Sequence, residues 1–255
     1  MQRGIFGFPI DRRRDSSLYP YQRGVFHVKR EVPGTYEFIV PDGFDYAVID
    51  LSGAGGGGGT SPNVAGAEGG GGGAGAGLCK KIRVRQGFRL VMTVPAGGAG
   101  AIFNGTVSPV PSAAGGTTTC AVYNEYGELV TTLTATGGQG GASEASASPG
   151  GAGGTPSETV SLIVDNVTLF SQSGNTGDAG KTFGDDVGGY GADTHLKKFD
   201  PRESRSRGIG GPSNNMPGQA GVAPGSGGGG GVGSGNGGAG APGIAWAVFI
   251  PSEAA

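Results

Sequence analysis

Tyr46-Ala-Val-Ile-Asp-Leu-Ser-Gly-Ala-Gly-Gly-Gly-Gly-Gly59 decides how this chain is read. An apolar run of strand length passes directly into glycine, with no helix and no linker-like polar spacer between them. The run is apolar on both faces, which places it inside a sheet or beneath a second layer. Glycine then repeats: two five-residue runs stand at 55–59 and 69–73, and longer tracts occupy 137–154 and 225–240. The 255 residues include 59 glycines and 16 prolines, a share that ordinarily signals low complexity or disorder. Ordering glycine costs more backbone entropy than ordering any other residue. Short apolar segments between the tracts argue for order instead, because a flexible linker lacks them.

Outward from this stretch the pattern is that of strands. Thr35 to Val40 alternates with Tyr36, Phe38 and Val40 on one face, and Pro41-Asp42-Gly43 turns the chain. Lys81 to Arg85 puts Ile82 and Val84 inward and three cations outward. Gln86-Gly87 then turns into Arg89 to Val94, so these two segments are expected as a second pair. Ala121 to Thr134 reads as a hairpin turning near Asn124-Glu125-Tyr126-Gly127, and 160–170 as a short apolar stretch. The last strand, Ile244 to Ile250, carries Ile244, Trp246, Val248 and Ile250 on one face. No segment holds helical periodicity, so the expected class is all-β: a small antiparallel β-structure combined with glycine-rich polyproline-II-type helices packed together. Without a Cβ, such helices can lie backbone to backbone, each N–H finding a neighbouring carbonyl. Collagen is excluded, since no Gly-X-Y register is sustained.

Charge divides the chain into an arm, 1–30, and a body, 31–255. Arg3, Arg12, Arg13, Arg14, Arg23, Lys29 and Arg30 face only Asp11 and Asp15 in the arm, whereas the whole chain has a net charge of −2. Arginines interleaved with aromatic residues suit a protein interface. Phe6, Phe8, Arg12, Arg13, Arg14, Tyr19 and Tyr21 are therefore the candidate anchor to other proteins of an assembly. The net charge speaks against nucleic acid as a partner. Cys79 and Cys120 exclude a disulfide-dense scaffold and leave one bridge open on parity alone. No apolar run reaches the length of a membrane span, nor of a signal-peptide core, so assembly in a cytoplasm is expected.

No arrangement of residues marks a catalytic or cofactor site. Gly53 to Gly58 formally fits a dinucleotide fingerprint, yet more glycine follows where a helix should begin. His27 and His195 are the only histidines, and neither has a ligand spacing around it, so no metal and no cofactor are expected. Glu125, Glu128, Asp165, Asp178, Asp185 and Asp186 supply carboxylates without the paired frame that glycoside hydrolysis needs. Asn104-Gly-Thr106 and Asn166-Val-Thr168 match a glycosylation acceptor pattern that by itself marks no function. The richest surface is the charged segment 185–207. Its Tyr190, His195, Lys197, Lys198, Phe199 and Arg202 are the candidate contacts to a receptor, on the rule that loops on rigid scaffolds carry binding.

Gly34-Thr-Tyr-Glu-Phe-Ile-Val-Pro-Asp-Gly43, the strand at 46–51 and Gly53-Ala-Gly-Gly-Gly-Gly-Gly59 together resemble the opening of the glycine-rich domain of bacteriophage tail and fibre proteins. Val94-Pro-Ala-Gly-Gly-Ala-Gly100, Thr136-Gly-Gly-Gln-Gly-Gly141 and Gly237-Gly-Ala-Gly-Ala-Pro-Gly-Ile-Ala-Trp246 follow in the same order. The chain is also similar to tail-fibre tip adhesins, whose polyglycine helices present receptor-binding loops. The resemblance implies a non-enzymatic virion structural protein of the tail fibre or tail tip that mediates host attachment. Its partners would be a host surface receptor, protein or polysaccharide, and other virion proteins, in a homo-oligomer for which trimer is the usual fibre symmetry. A purely architectural fibre, head-fibre or tail-tip subunit is the alternative. An ice-binding polyglycine bundle is a further class, and it would need regular threonine-rich flat faces.

Overall fold

The computed structural model describes residues 26–61, 68–105, 110–143, 148–162, 165–180, 188–192, 208 and 216–251. Its strands are β1 (Phe26–Arg30), β2 (Gly34–Ile39), β3 (Phe44–Ser52), β4 (Gly77–Arg83), β5 (Arg89–Val94), β6 (Thr118–Tyr123), β7 (Leu129–Ala135), β8 (Pro156–Val160), β9 (Asn166–Gln172) and β10 (Ile244–Pro251). They form two five-stranded sheets of order β1-β10-β3-β4-β9 and β2-β5-β6-β7-β8, antiparallel throughout. No α-helix occurs among the described residues.

Alternation explains the core. Ala47, Ile49 and Leu51 of β3, Leu90 and Met92 of β5, Cys120 and Val122 of β6, Leu133 of β7 and Phe249 of β10 are all buried and meet between the sheets. At one end Phe26 stacks on Phe38 at 5.4 Å between ring centroids, and Phe38 lies 4.9 Å from Phe249. The guanidinium of Arg30 sits 5.1 Å above the Tyr36 ring, tying β1 to β2 across the sheets. On the side where β4 and β9 approach β8, Lys80 turns inward. Its Nζ donates to Glu158 Oε2 and, at 3.4 Å, to Asn166 Oδ1, while the Thr131 hydroxyl donates to Glu158 Oε1 at 3.1 Å.

Several expectations change here. Lys81–Arg85 and Arg89–Val94 do not pair: β4 joins one sheet and β5 the other. The connection crosses because Val40 donates to the Phe88 carbonyl and Gly87 to the Val40 carbonyl, stitching both crossovers together. The stretch 160–170 contributes to two strands, β8 and β9, again in different sheets. In β10 the fully buried face is Ala245, Ala247 and Phe249; Trp246 and Val248 stand half-buried on the outside beside Lys29 and His27. Phe26–Arg30, read from the sequence as the end of the arm, is strand β1 and pairs with β10. Cys79 and Cys120 are both free thiols. Burial pushes each up to about 12, helped at Cys79 by the charge of Asp50.

The glycine tracts all grow from one end of this sandwich. They leave after β3, β5, β7 and β9 and return at β4, β6, β8 and β10. Their hydrogen bonds rotate with a period of three residues. Gly53, Gly56 and Gly59 donate to Ala76, Gly73 and Gly70; Ala54 and Gly57 donate to Gly116 and Ala113; Gly55 and Gly58 donate to Ala241 and Gly238. Segment 69–76 is enclosed on every side, bonded to 53–59, 136–142, 151–154, 175–178, 189–192 and 225–231. Every residue of 51–61, of 68–76 and of 225–232 is buried. The glycine amides of these three segments are satisfied by backbone carbonyls.

Candidate functional site

The end of the bundle away from the sandwich holds 59–61, 68–70, 101–103, 142–143, 148, 180 and 230–236. The described residues there are stitched to one another. Thr60 donates its amide to Ser143 Oγ at 2.9 Å and its hydroxyl to the Gly235 carbonyl, Phe103 donates to Asn236 Oδ1 at 2.8 Å, and Gly180 donates to the Ser148 carbonyl at 2.9 Å. Glu68, buried, forms a bridge with Val232. The stubs of several loops are thereby held at fixed separations, which is what a display surface requires.

Of the residues predicted to contact a receptor, Tyr190 is placed. It is half-buried on the flank of the bundle, and its carbonyl accepts the Asp178 amide at 2.8 Å. His195, Lys197, Lys198, Phe199 and Arg202 lie outside the described residues, as do Phe6, Phe8, Arg12, Arg13, Arg14, Tyr19 and Tyr21. Both stubs of 193–207 are nonetheless described, and they meet. Gly227 donates to the Ala192 carbonyl at 3.0 Å, Gly208 donates to the Gly227 carbonyl at 2.9 Å, and Gly191 donates to Gly208 at 2.9 Å. The most side-chain-rich stretch of the C-terminal glycine region therefore starts and finishes at one point on a buried tract.

A second concavity was not singled out from sequence. At the end of the sandwich away from the glycine bundle, Arg83, Arg85, Phe88, Asn124, Glu125, Val130, Leu162 and Asp165 line a cleft of about 450 Å³. Val130 and Phe88 form its buried floor, and Arg83, Arg85, Glu125 and Asp165 stand exposed around it. Two of the carboxylates noted from sequence thus share one cleft. Neither is buried, whereas a general acid working near neutral pH depends on a desolvated carboxyl. No cluster of three or more metal-ligating side chains occurs among the described residues. The signal for the cleft was present but divided: Arg83 ends β4 and Arg85 follows it, both exposed, while Glu125 and Asp165 come from loops that only folding brings near.

Two further readings can be placed. The amides of 53–58, which fit a dinucleotide fingerprint, all donate to neighbouring tracts, so none faces a phosphate. On the outer face of the second sheet, Thr35, Thr93, Thr119, Thr134 and Ser157 align in one row across all five strands. The adjacent row carries Glu37, Val91 and Ala121 before Thr132 and Thr159, so the hydroxyls make a line rather than a two-dimensional array.

The profile of a family described as a glycine-rich domain matches residues 30–249, from the last residue of β1 into β10. A search of curated protein sequences finds no match.

Proposed function

The chain belongs to the glycine-rich domain family, and from that premise we propose that it is a non-enzymatic display scaffold of a bacteriophage virion, a tail-fibre or tail-tip subunit that contacts the host cell. One observation carries the display reading: Ala192 and Gly208 are both bonded to Gly227, so 193–207 is held at its base by a fully buried tract. His195, Lys197, Lys198, Phe199 and Arg202 give this stretch of sequence the aromatic and cationic character of an interface. The three-residue rotation of hydrogen bonds supports reading the tracts as polyproline-II-type helices, whose three residues per turn present every third amide in one direction. The virion setting rests on the resemblance of the chain's order of strand, glycine run, hairpin and closing strand to that of phage fibre proteins.

The basic arm would join the chain to other virion proteins, and a homo-oligomer would multiply weak receptor contacts. Replacing 193–207 by a short Gly-Ser linker is expected to leave the thermal midpoint unchanged and to abolish the ability of the purified protein to block phage adsorption to host cells. Blocking at the parental level sinks the receptor role and leaves the architectural one. Disappearance of host capsule on exposure to the purified chain would instead favour a polysaccharide-cleaving enzyme, with Glu125 and Asp165 as the first residues to replace.

A further inference from the structure

Lys80 is the one lysine of β4 in phase with its apolar residues. Leu78 and Ile82 flank it on the inward face, and its side chain is only 5% exposed. Isolated, a buried ammonium would be costly, and here it is met by two groups. Glu158 of β8 reaches it from the opposite sheet, and Asn166, the first residue of β9, reaches it from the neighbouring strand. Glu158 touches both partners. Its Oε2 contacts Lys80 Nζ, and its Oε1 lies 3.5 Å from Asn166 Nδ2. The Thr131 hydroxyl, itself buried, donates to the same Oε1 at 3.1 Å and fixes the carboxylate.

A charge pair needs no amide in contact with both of its members. A primary amine 3.4 Å from a carboxamide oxygen, with a carboxylate spanning the amine and the amide nitrogen, is the arrangement of an acyl transfer. We propose that Lys80 and Asn166 join in an intramolecular isopeptide bond, with Glu158 as the proton shuttle. Glu158 takes a proton from the Lys80 ammonium, and the freed lone pair attacks Asn166 Cγ. The new Nζ–Cγ bond forms as the Cγ–Nδ2 bond breaks. Two protons pass in succession from Nζ through the carboxylate to Nδ2, which leaves as ammonium. An ammonium and a primary amide become a secondary amide and a free ammonium ion, so no oxidant, reductant or cofactor enters and Glu158 ends as it began. Leu78 and Ile82 flank the Lys80 amine on the inward face and Leu133 lies opposite Glu158, while Asn166 itself is half-buried. The product ties the first residue of edge strand β9 to β4, at the end of β9 opposite the one from which the longest glycine excursion leaves.

The experiment is mass spectrometry of the purified full-length chain under denaturing conditions, followed by a tryptic map. The expected result is a mass one ammonia below the sequence, no cleavage after Lys80, and a branched peptide joining the Lys80 and Asn166 segments. Glu158→Gln is expected to restore the full mass and a linear map, and Lys80→Arg to lower the thermal midpoint while keeping the charge. Cleavage after Lys80 in the parental protein, with Asn166 an ordinary residue, overturns the proposal. So does loss of one water with Lys80 joined to Glu158. A crosslink that persists in Glu158→Gln overturns the role given to Glu158. Because the parental mass alone decides whether the bond exists, failure of a variant to fold leaves the test standing.

Discussion

A β-carbon on Gly57 would overlap the carbonyl oxygen of Ala99 in the neighbouring tract. The neighbour is backbone held by its own hydrogen bonds, so it has no rotamer with which to yield. Gly57→Ala is therefore expected to cost about 3 kcal/mol, as overpacking of a rigid core does. Gly127, in the β6–β7 turn, makes the contrast: its φ is +83° and a Cβ there would meet nothing. Gly127→Ala pays only the left-handed backbone penalty, about 1 kcal/mol. Urea midpoints of the two variants measure the difference, and equal losses would mean that the tracts are not packed as described. The thiols give a residue-scale prediction with a sign. Folding raises Cys120 from 9.0 to about 12, so the folded chain holds that proton more tightly than the unfolded one. The associated stability is complete below about pH 9 and is lost as pH rises toward about 12. Cys120→Ala should flatten the alkaline fall in the urea midpoint, whatever it costs at neutral pH.

At the scale of elements, β1 sets where the body begins. Its inward residues are Phe26 and Val28, two side chains in a five-residue strand, and its partner β10 lies at the other end of the chain. That is too little alternation to separate a strand from an aromatic-rich arm, which is why the sequence did not mark it. Removal of 1–25 should leave the thermal midpoint in place, whereas removal of 1–30 should lower it, because Phe26 leaves Phe38 and Phe249 exposed. Phe26→Ala alone should cost about 2–3 kcal/mol by urea denaturation. If the shorter truncation also blocks incorporation into particles, the anchoring role of the arm gains its first support; free incorporation removes it. β8 and β9 escaped notice for a related reason. Val160, Leu162, Val167 and Leu169 point outward, so the apolar residues of that stretch mark the wrong face. Lys80 was not marked either: its phase with Ile82 and Val84 turns it inward, but Glu158 and Asn166, which meet it, lie far along the chain.

At the scale of the whole molecule, the bundle and the sandwich need one another. Each backbone hydrogen bond contributes about 1 kcal/mol net, and ordering each glycine costs about as much or more. The tracts do not stand alone on that balance; the apolar core fixes where each begins and ends, which removes much of the entropy they would otherwise lose. Unfolding is expected to be a single transition, with the amides of 69–76 as protected against hydrogen exchange as those of β3 and β10. Fast exchange of 69–76 beneath protected strands would refute a shared core. The sequence by itself determined the all-β class, most of the strands, the β6–β7 hairpin and the need for glycine to be held backbone to backbone. These are local consequences of alternation and of a missing Cβ. Only the tertiary structure decided which sheet each strand joins, which tracts surround 69–76, and the meeting of Lys80, Glu158 and Asn166. Alternation names a face without naming a partner, and glycine has no side chain to distinguish one neighbour from another. Both choices are made by contacts between residues far apart in the chain.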